Sequence, residues 1–153
     1  MADTLSKERR SALMKRVKQK HTAPELTVRK ALHKRGLRYK IGDPKLPGRP
    51  DLSFPRYRSV VFVHGCFWHG HECRAGRLPT TNTDYWIAKI EANRNRDARK
   101  EQALCDLGWR VFTVWQCQLR SAERENRLME LAQAISKGHK ALSSVVEKLS
   151  SKE

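Results

Sequence analysis

At 153 residues, the chain is long enough for one domain with a single hydrophobic core. Its apolar fraction of 39% and charged fraction of 31% exclude a disordered chain, and no apolar run approaches the roughly 20 residues of a membrane span. Lysine and arginine total 32 against 16 aspartate and glutamate, so the formal net charge of +16 favours a polyanion, and above all nucleic acid, as the partner.

The first twenty residues are basic and poorly suited to a core. Lysines and arginines cluster from Lys7 to Lys20. This segment has a helical pattern with only a few large apolar residues, of which Met14 is one. We therefore predict that residues 1–20 form a basic DNA-binding arm that becomes ordered on its ligand. Because this segment lacks the apolar stretch of a secretory signal, we expect a cytoplasmic, nucleoid-associated protein whose four cysteines stay reduced.

The next segment carries the signals of a capped helix. Thr22, Pro24 and Glu25 fit a capping box with an early proline. Apolar residues follow at helical spacing: Leu26, Val28, Ala31 and Leu32. Gly36 suits the position just past the helix end, because glycine adopts left-handed backbone angles without strain.

Three short strands are predicted after that helix. Residues 37–41 are typical of the first strand, and the turn-rich loop 42–50 follows it. Residues 51–54 and 59–64 are predicted to pair as a hairpin around a turn at Pro55. The last of these strands is apolar and leads directly into the segment with the most unusual composition.

Residues 65–82 are predicted to form a loop, and a long helix follows. Asn82 or Thr83 caps this helix, which continues to Leu107. A basic cluster at 94–100 lies within it. This cluster adds to the surface that we expect to face DNA phosphates.

Residues 109–115 are predicted to form a strand, and Ser121 to cap the last helix of the domain. We assign residues 21–137 to one folded domain and 138–153 to a tail rich in lysine and serine, which we expect to be a frayed helix. The order helix, three strands, helix, strand, helix predicts an α/β fold in which helices flank a mixed β-sheet.

The segment 64–73 holds three histidines and two cysteines. Thiolate and imidazole are the ligands that zinc prefers in tetrahedral sites. Cys66 and Cys73 supply two ligands, and a histidine of the loop can supply a third. A fourth ligand must therefore come from elsewhere in the chain. Cys105 lies in a helix beside leucines, where a buried thiol is expected, whereas Cys117 follows the end of a strand and is the favoured ligand.

The histidines have to be divided between metal binding and proton transfer. We favour a closed structural zinc site with four protein ligands: Cys66, His71, Cys73 and Cys117. Such a site has no open position for a catalytic water, and it leaves His64 and His69 free for proton transfer. Two alternatives stay open, namely a site in which His69 binds the zinc and a loop without metal.

Asp51 is the candidate for a second metal. It follows the turn 47–50 and opens a short strand. Hydrolysis of a phosphodiester needs a carboxylate-held divalent cation, and Mg²⁺ suits this task because it keeps several waters and needs few protein carboxylates. We therefore predict Asp51 as a Mg²⁺ ligand in a metal-dependent enzyme that acts on DNA.

Four segments together resemble the very short patch repair (Vsr) DNA mismatch endonucleases: Leu46 to Asp51, Val61 to His69, Gly108 to Val111 and Val114 to Cys117. The resemblance implies a restriction-endonuclease-like fold. It also implies nicking of double-stranded DNA on the 5′ side of the thymine in a T:G mismatch, which arises when 5-methylcytosine deaminates. Residues 21–137 would then be the endonuclease domain of a monomer, with mismatch-repair proteins as candidate partners.

The resemblance implies roles for the metal-site and catalytic residues. Asp51 corresponds to the family's metal-binding aspartate, and His64 and His69 correspond to its two active-site histidines. The expected structural zinc ligands are Cys66, His71, Cys73 and Cys117. Glu25 corresponds to a carboxylate near the metal waters, and its other possible role, as the capping-box acid, stays open.

The resemblance also implies a set of DNA contacts. The corresponding residues are Met14 of the arm, the intercalating aromatics Phe67, Trp68 and Trp86, and the pair-reading Lys89 and Asn93. Adjacent aromatics on a ligand-rich loop cannot easily share one buried face. Wedging them into a base stack costs little at a weakly stacked mismatch, so we favour the wedge over a core role.

The chain departs from the pattern of related nucleases at two points. The Glu-x-Lys strand motif of the superfamily is absent, and His64 stands where the lysine is expected. Val63 replaces a threonine of some relatives, so a Mg²⁺ contact there would have to come from the backbone carbonyl. His69 is the candidate general base, because an imidazole with a pKa near 6.5 accepts a proton at neutral pH.

Two other functions compete with a mismatch-nicking enzyme. A zinc-containing DNA-binding module without catalysis would have no need of Asp51 or of histidines outside the zinc site. A restriction-type nuclease that cuts both strands would read intact base edges, for which the adjacent Phe67 and Trp68 are unsuited. We therefore keep the non-catalytic DNA-binding module as the alternative function.

Overall fold

The computed structural model describes residues 6–16 and 21–150. The helices are α1 (Lys7–Arg16), α2 (Ala23–Lys34), α3 (Thr83–Asp106) and α4 (Arg124–Ser150). The strands are β1 (Lys40–Ile41), β2 (Leu52–Phe54), β3 (Ser59–His64) and β4 (Arg110–Trp115). Parts of the predicted arm (1–5 and 17–20) and of the predicted tail (151–153) lie outside the described residues. Among the described helices, none is long and apolar enough to span a membrane.

The four strands form one open mixed sheet in the order β1-β2-β3-β4. The first two pairings are antiparallel, and β3 pairs with β4 in parallel from Ser59 opposite Arg110 to His64 opposite Trp115. A parallel pair needs a crossover connection, which here contains α3. The predicted α/β fold with a mixed sheet and flanking helices is confirmed.

The first strand is shorter than predicted. It covers only Lys40 and Ile41, not 37–41. The Leu37 N–H donates to the Leu32 carbonyl at the end of α2, and the Leu37 side chain is buried. This residue therefore closes the helix and fills the core instead of pairing with β2.

The main core lies between the sheet and two helices. Its fully buried members come from α2, β2, β3, β4 and α4: Val28, Leu32, Leu52, Phe54, Val61, Val114, Leu128, Leu131 and Ile135. Each such side chain contributes about 1.5–3 kcal/mol by leaving water. Val60 and Leu104 are also buried but lie outside this cluster, and α3 contacts β4. The long helix α3 therefore packs against β4, the strand at the edge of the sheet.

The last helix begins later than predicted, and the tail that we expected to be a frayed helix is continuous with it. Ser121 is not its cap, because its hydroxyl accepts the Glu123 N–H in a turn and α4 starts at Arg124. The predicted tail from residue 138 begins inside α4, which runs on to Ser150. Arg110 attaches this helix to the sheet by donating to the carbonyl oxygens of Ala134 and Ile135, at 2.8 and 2.7 Å.

The topology brings three chain segments to one end of the sheet. Because β2 and β3 are antiparallel, Asp51 at the start of β2 lies near the end of β3. Because β3 and β4 are parallel, His64 and Trp115 lie side by side at their ends. Residues 51, 64–73 and 115–117 are therefore neighbours, although the sequence separates them widely.

Candidate functional site

The end of the sheet holds a cluster of three cysteines and one histidine. Its members are Cys66, His71, Cys73 and Cys117, and their ligand atoms all lie within 4.8 Å of one another. The Cys117 N–H also donates to the Cys66 sulfur at 3.4 Å. Sulfur and imidazole nitrogen in this number and spacing could hold one metal ion. The predicted choice of Cys117 therefore agrees with the placement of these residues.

The thiols of this cluster differ in their pKa. Burial raises the pKa of the Cys66 thiol to about 11, while a hydrogen bond from His71 lowers the pKa of the Cys73 thiol to about 6. The His71 ring stacks on Trp115 with centroids 4.3 Å apart. A bound cation would favour the thiolate form of all three cysteines, because metal ligands bind deprotonated.

Cys105 is placed differently from the prediction. It lies on α3, outside the cluster, and its side chain is exposed. The expectation of a buried thiol was wrong, because the helix turns its leucine neighbour Leu104 inward and leaves Cys105 on the solvent side.

A single glycine separates His69 from His71. Gly70 has φ of +65°, in the left-handed region that favours glycine, and a Cβ there would lie 2.6 Å from Ile90 Cγ2. The reversal sends His71 to the cysteines and His69 to a second group of side chains. Neighbouring histidines of one short segment are thereby assigned to two different sites.

The second group consists of His64, His69 and Asp97. The two imidazole rings stack with centroids 3.8 Å apart and an interplanar angle of 2°. His69 Nδ1 donates to Asp97 Oδ2 at 2.6 Å. Since a carboxylate only accepts, the proton of this bond belongs to Nδ1, and in the neutral form of the ring Nε2 would be the proton acceptor.

Asp97 was missed in the sequence interpretation. The available signal was an acid inside the basic cluster 94–100, four residues after Asn93 and therefore on the same helical face. Asn93 points to the same loop, because its amide nitrogen donates to the Trp68 carbonyl at 2.9 Å. The inward face of α3 thus holds the loop at two places.

His64 is an uncharged member of this group at neutral pH. Burial lowers its pKa to about 4, and the nearby charges of His69 and Lys100 act in the same direction. The Lys100 stem lies against Gly48, where a Cβ would come within 2.7 Å of it. A neutral imidazole can accept or donate one hydrogen bond, but it adds no positive charge to the site.

Asp51 lies beside the histidine pair and is poorly solvated. Its Oδ2 accepts the Val63 N–H at 2.7 Å. Burial raises the pKa of Asp51 to about 6. The hydrogen bond from Val63 acts against this increase, whereas the negative charge of Glu25 adds to it. The charges of Arg29 and His69 lower the pKa. A carboxylate short of solvation and next to a second carboxylate fits a hard divalent cation, which supplies the missing positive charge.

Glu25 does not form the predicted capping box. The Thr22 side chain makes no cap hydrogen bond, and Glu25 Oε2 accepts instead from the His21 N–H at 3.0 Å. Glu25 is only 6% exposed, and its charge acts on Asp51. The structure thus places this acid toward the Asp51 site.

Three aromatic rings form a patch next to these residues. Phe67 lies edge-on to Trp68 and to Trp86, with centroids 5.1 Å apart in both cases, and all three side chains are half-buried. They are absent from the buried core. Tyr85 extends the patch beside Trp86 and is 60% exposed.

The other predicted DNA contacts lie on two helices. Lys89 is exposed on α3, and Met14 is 44% exposed on α1, a helix that buries none of its residues. Asn93 is half-buried and already uses its amide nitrogen on Trp68. The structure therefore brings Asn93 to the aromatic patch and leaves Lys89 and Met14 on accessible surfaces.

Comparison with known proteins gives consistent matches. The family model described as DNA mismatch endonuclease Vsr matches residues 2–75. The type II nicking enzyme V.XorIIP of Xanthomonas oryzae pv. oryzae is 58% identical over 119 residues, covering 78% of this chain and 88% of that protein. The DNA mismatch endonuclease Vsr of Escherichia coli (strain K12) is 44% identical over 124 residues, covering 81% and 80%. The nicking enzyme V.NmeAIP of Neisseria meningitidis is 41% identical over 140 residues, covering 88% and 100%.

Proposed function

Because the chain belongs to the Vsr family of DNA mismatch endonucleases, we propose that it nicks one strand 5′ to the thymine of a T:G mismatch. The proposed reaction is Mg²⁺-dependent phosphodiester hydrolysis in the repair of deaminated 5-methylcytosine. One observation carries the proposal: a poorly solvated carboxylate, Asp51, lies beside the His69–Asp97 pair and close to an aromatic patch. A non-catalytic DNA-binding module would have no use for this hydrogen-bonded histidine.

The Mg²⁺ would be held by Asp51 and the Val63 carbonyl, with Glu25 near its water ligands. The pairing of β2 with β3 ends at Leu52, which lies opposite Val61, and Val63 is two residues further along β3. The Val63 N–H donates to Asp51. In an antiparallel strand the N–H and C=O of one residue point to the same side, so the Val63 carbonyl faces the Asp51 side as well. When bound, the cation stabilises the charge that develops on the phosphate and favours hydroxide over water.

His69 acts as the general base in this proposal. Its Nε2 accepts the proton of the attacking water, and Asp97 keeps the ring in that tautomer and orientation through the 2.6 Å bond to Nδ1. Asp97 is thus a positioning residue. His64 stacks on His69 and, being neutral, orients the water or a phosphate oxygen by a hydrogen bond.

The cluster of three cysteines and His71 is proposed to bind Zn²⁺ as a structural ion. Four protein ligands complete a tetrahedral shell and leave no open position for a substrate. The ion would hold the loop that carries Phe67, Trp68 and His69. We infer that this loop is rigid when it meets DNA, which suits a wedge.

The aromatic patch is proposed to recognise the mismatch. Inserting Phe67, Trp68 and Trp86 unstacks the bases, which costs less at a T:G wobble than at a matched pair. Lys89 and the free carbonyl oxygen of Asn93 would contact the mismatched pair. Met14, on the basic arm, would enter from the opposite groove.

We also infer a restriction-endonuclease-like arrangement of the mixed sheet, and a monomer that works on nucleoid DNA in the cytoplasm. A monomer is sufficient because only one strand is cut. Mismatch-repair proteins are candidate partners for the steps that follow nicking.

A nicking assay on matched duplexes tests the function. The substrates differ at one position only, as T:G, T:A or C:G, and carry a distinct label on each strand. We expect Mg²⁺-dependent cleavage of the thymine strand at T:G and little at the other two. Cleavage of both strands would contradict nicking, equal cleavage of all three duplexes would contradict mismatch specificity, and binding without cleavage would favour the DNA-binding module.

A further inference from the structure

Arg29 is a buried cation next to the proposed metal site. It lies on the inward face of α2 and is only 7% exposed. Burying a guanidinium costs several kcal/mol unless its donors are paired. Arg29 uses both terminal nitrogens, while its Nε has no hydrogen-bond partner within 6–16 and 21–150. Because burial of this charge is unfavourable, we expect Arg29 to have a specific role at this position.

The two terminal nitrogens of Arg29 clamp the start of α2. Nη2 donates to Glu25 Oε2 at 3.1 Å, and Nη1 donates to His21 Nδ1 at 2.9 Å. The His21 N–H donates to the same Glu25 oxygen at 3.0 Å, with His21 at φ of +53°. Arg29, His21 and Glu25 thus form a closed three-residue network.

The network uses only one oxygen of Glu25. Both hydrogen bonds end on Oε2, and no residue that the structure describes bonds to Oε1. The charges of Glu25 and Arg29 both act on Asp51, in opposite directions. Glu25 is therefore anchored through one oxygen, and its charge is close enough to act on Asp51.

We propose that Arg29 is a positioning residue that anchors Glu25 by one oxygen and presents the other to the waters of the cation held at Asp51. This inference rests on the proposed function. Arg29 also offsets the charge of the two carboxylates before the cation arrives. The anchoring through His21 links the residue that precedes α2 to the same carboxylate.

The proposal makes metal binding and turnover respond in opposite directions. Without Arg29, two uncompensated carboxylates attract a cation more strongly, but Glu25 loses its orientation. Arg29→Met should therefore bind Mn²⁺ severalfold more tightly at pH 8 without DNA, measured from the electron paramagnetic resonance signal of free Mn²⁺. Its nicking rate at saturating Mg²⁺ should fall roughly 10- to 100-fold, the usual range for a lost partner of a metal ligand. A residue that only supports the fold would lower both.

Three further variants sharpen the test. Lys30→Met removes the same charge from the exposed side of α2 and should leave Mn²⁺ affinity unchanged. Arg29→Lys keeps the charge but has one ammonium for two partners, so it should keep Mn²⁺ affinity and still lose rate. In a Glu25→Gln background, Arg29→Met should reduce the rate little further, because both changes act through one carboxylate.

The thermal unfolding of every variant is measured as a check that it is folded. If Arg29→Met does not fold, the nicking rate and Mn²⁺ affinity of Arg29→Lys test the proposal. Unchanged rates in both Arg29 variants, or additive losses with Glu25→Gln, would overturn the proposal. So would weaker Mn²⁺ binding in a folded Arg29→Met. If the wild type binds Mn²⁺ but cleaves no duplex, the proposed function fails, while the Mn²⁺ titrations still test the effect of Arg29 on the Asp51 site.

Discussion

Two sites at one end of the sheet share a segment but differ in how completely their groups are satisfied. In the cysteine cluster, four ligand atoms converge within 4.8 Å. Around Asp51, Nε2 of His69 and Oε1 of Glu25 have no hydrogen-bond partner among the residues that the structure describes. A closed set of ligands can only hold an ion, whereas an open set can also hold a substrate and move a proton. The contrast supports our proposal that the cysteine cluster is a structural site and that the Asp51 site is the place of the reaction.

The largest effect is expected at the closed site. Cys117→Ser should lose the metal and fold poorly, because a structural zinc site contributes on the order of 10 kcal/mol, comparable with the stability of a whole domain. Cys105→Ser, on the exposed side of α3, is the matched control and should keep one equivalent of zinc. Elemental analysis and circular dichroism decide. Retention of zinc by Cys117→Ser would remove this residue from the ligand set.

The next effect is expected at the open site. Asp51→Asn should reduce nicking roughly a thousandfold or more, because charge stabilisation by a metal ion is worth several kcal/mol. Folding and mismatch binding should remain, since the amide can still accept the Val63 N–H. Rapid Mg²⁺-dependent cleavage by the purified variant would show that the cation is held elsewhere.

A smaller loss is expected from the histidine pair, and it tests the division of the histidines directly. His69→Ala should slow nicking about 10²- to 10⁴-fold with zinc content and DNA affinity unchanged. Asp97→Asn should slow it less, because the imidazole remains but loses its oriented tautomer. If His69→Ala instead arrives without zinc, His69 and His71 have been assigned in the wrong order.

The smallest effect is expected at the aromatic patch, where specificity changes more than rate. Trp68→Ala should lower the T:G over T:A preference by roughly tenfold, since stacking of a base on an aromatic ring is worth about 1–3 kcal/mol. Lys15→Ala, on α1, should weaken binding to all duplexes about equally. Nicking and binding are measured at one salt concentration. An unchanged preference in Trp68→Ala would leave hydrogen bonding to the bases as the main discriminator.

Local signals in the sequence were sufficient for most elements and for the cysteine cluster. Apolar runs and turn residues predicted β2, β3 and β4, and helical spacing and cap residues predicted α2 and α3 to within a residue or two. Cys117 was distinguished from Cys105 because a residue after a strand end can reach a loop at the same end of the sheet. The predictions of the helices and strands hold because each depends on neighbours in the chain.

The errors arose where a distant partner decides the outcome. Glu25 has the spacing of a capping-box acid, yet Arg29 and the turn at His21 draw it away from the Thr22 backbone. Asp97 lies 28 residues from His69, so its position as an acid within the basic cluster 94–100 was too weak a signal to identify its partner. Leu37 has strand character but is taken up by the end of α2. Sequence spacing carries no information about such tertiary choices.

The parallel pairing of β3 with β4 also sets an order of events during folding. Cys66 and Cys117 are 51 residues apart and follow the ends of these two strands, so they meet only after the crossover has closed. Non-local parallel pairing is slow, because loop-closure entropy is lost before contacts reward it. An early-formed complex of a metal with Cys66, His71 and Cys73 alone would lack its fourth ligand. If the cluster binds metal as proposed, acquisition of Cys117 would follow the pairing of these strands, and added metal should slow unfolding more than it speeds refolding.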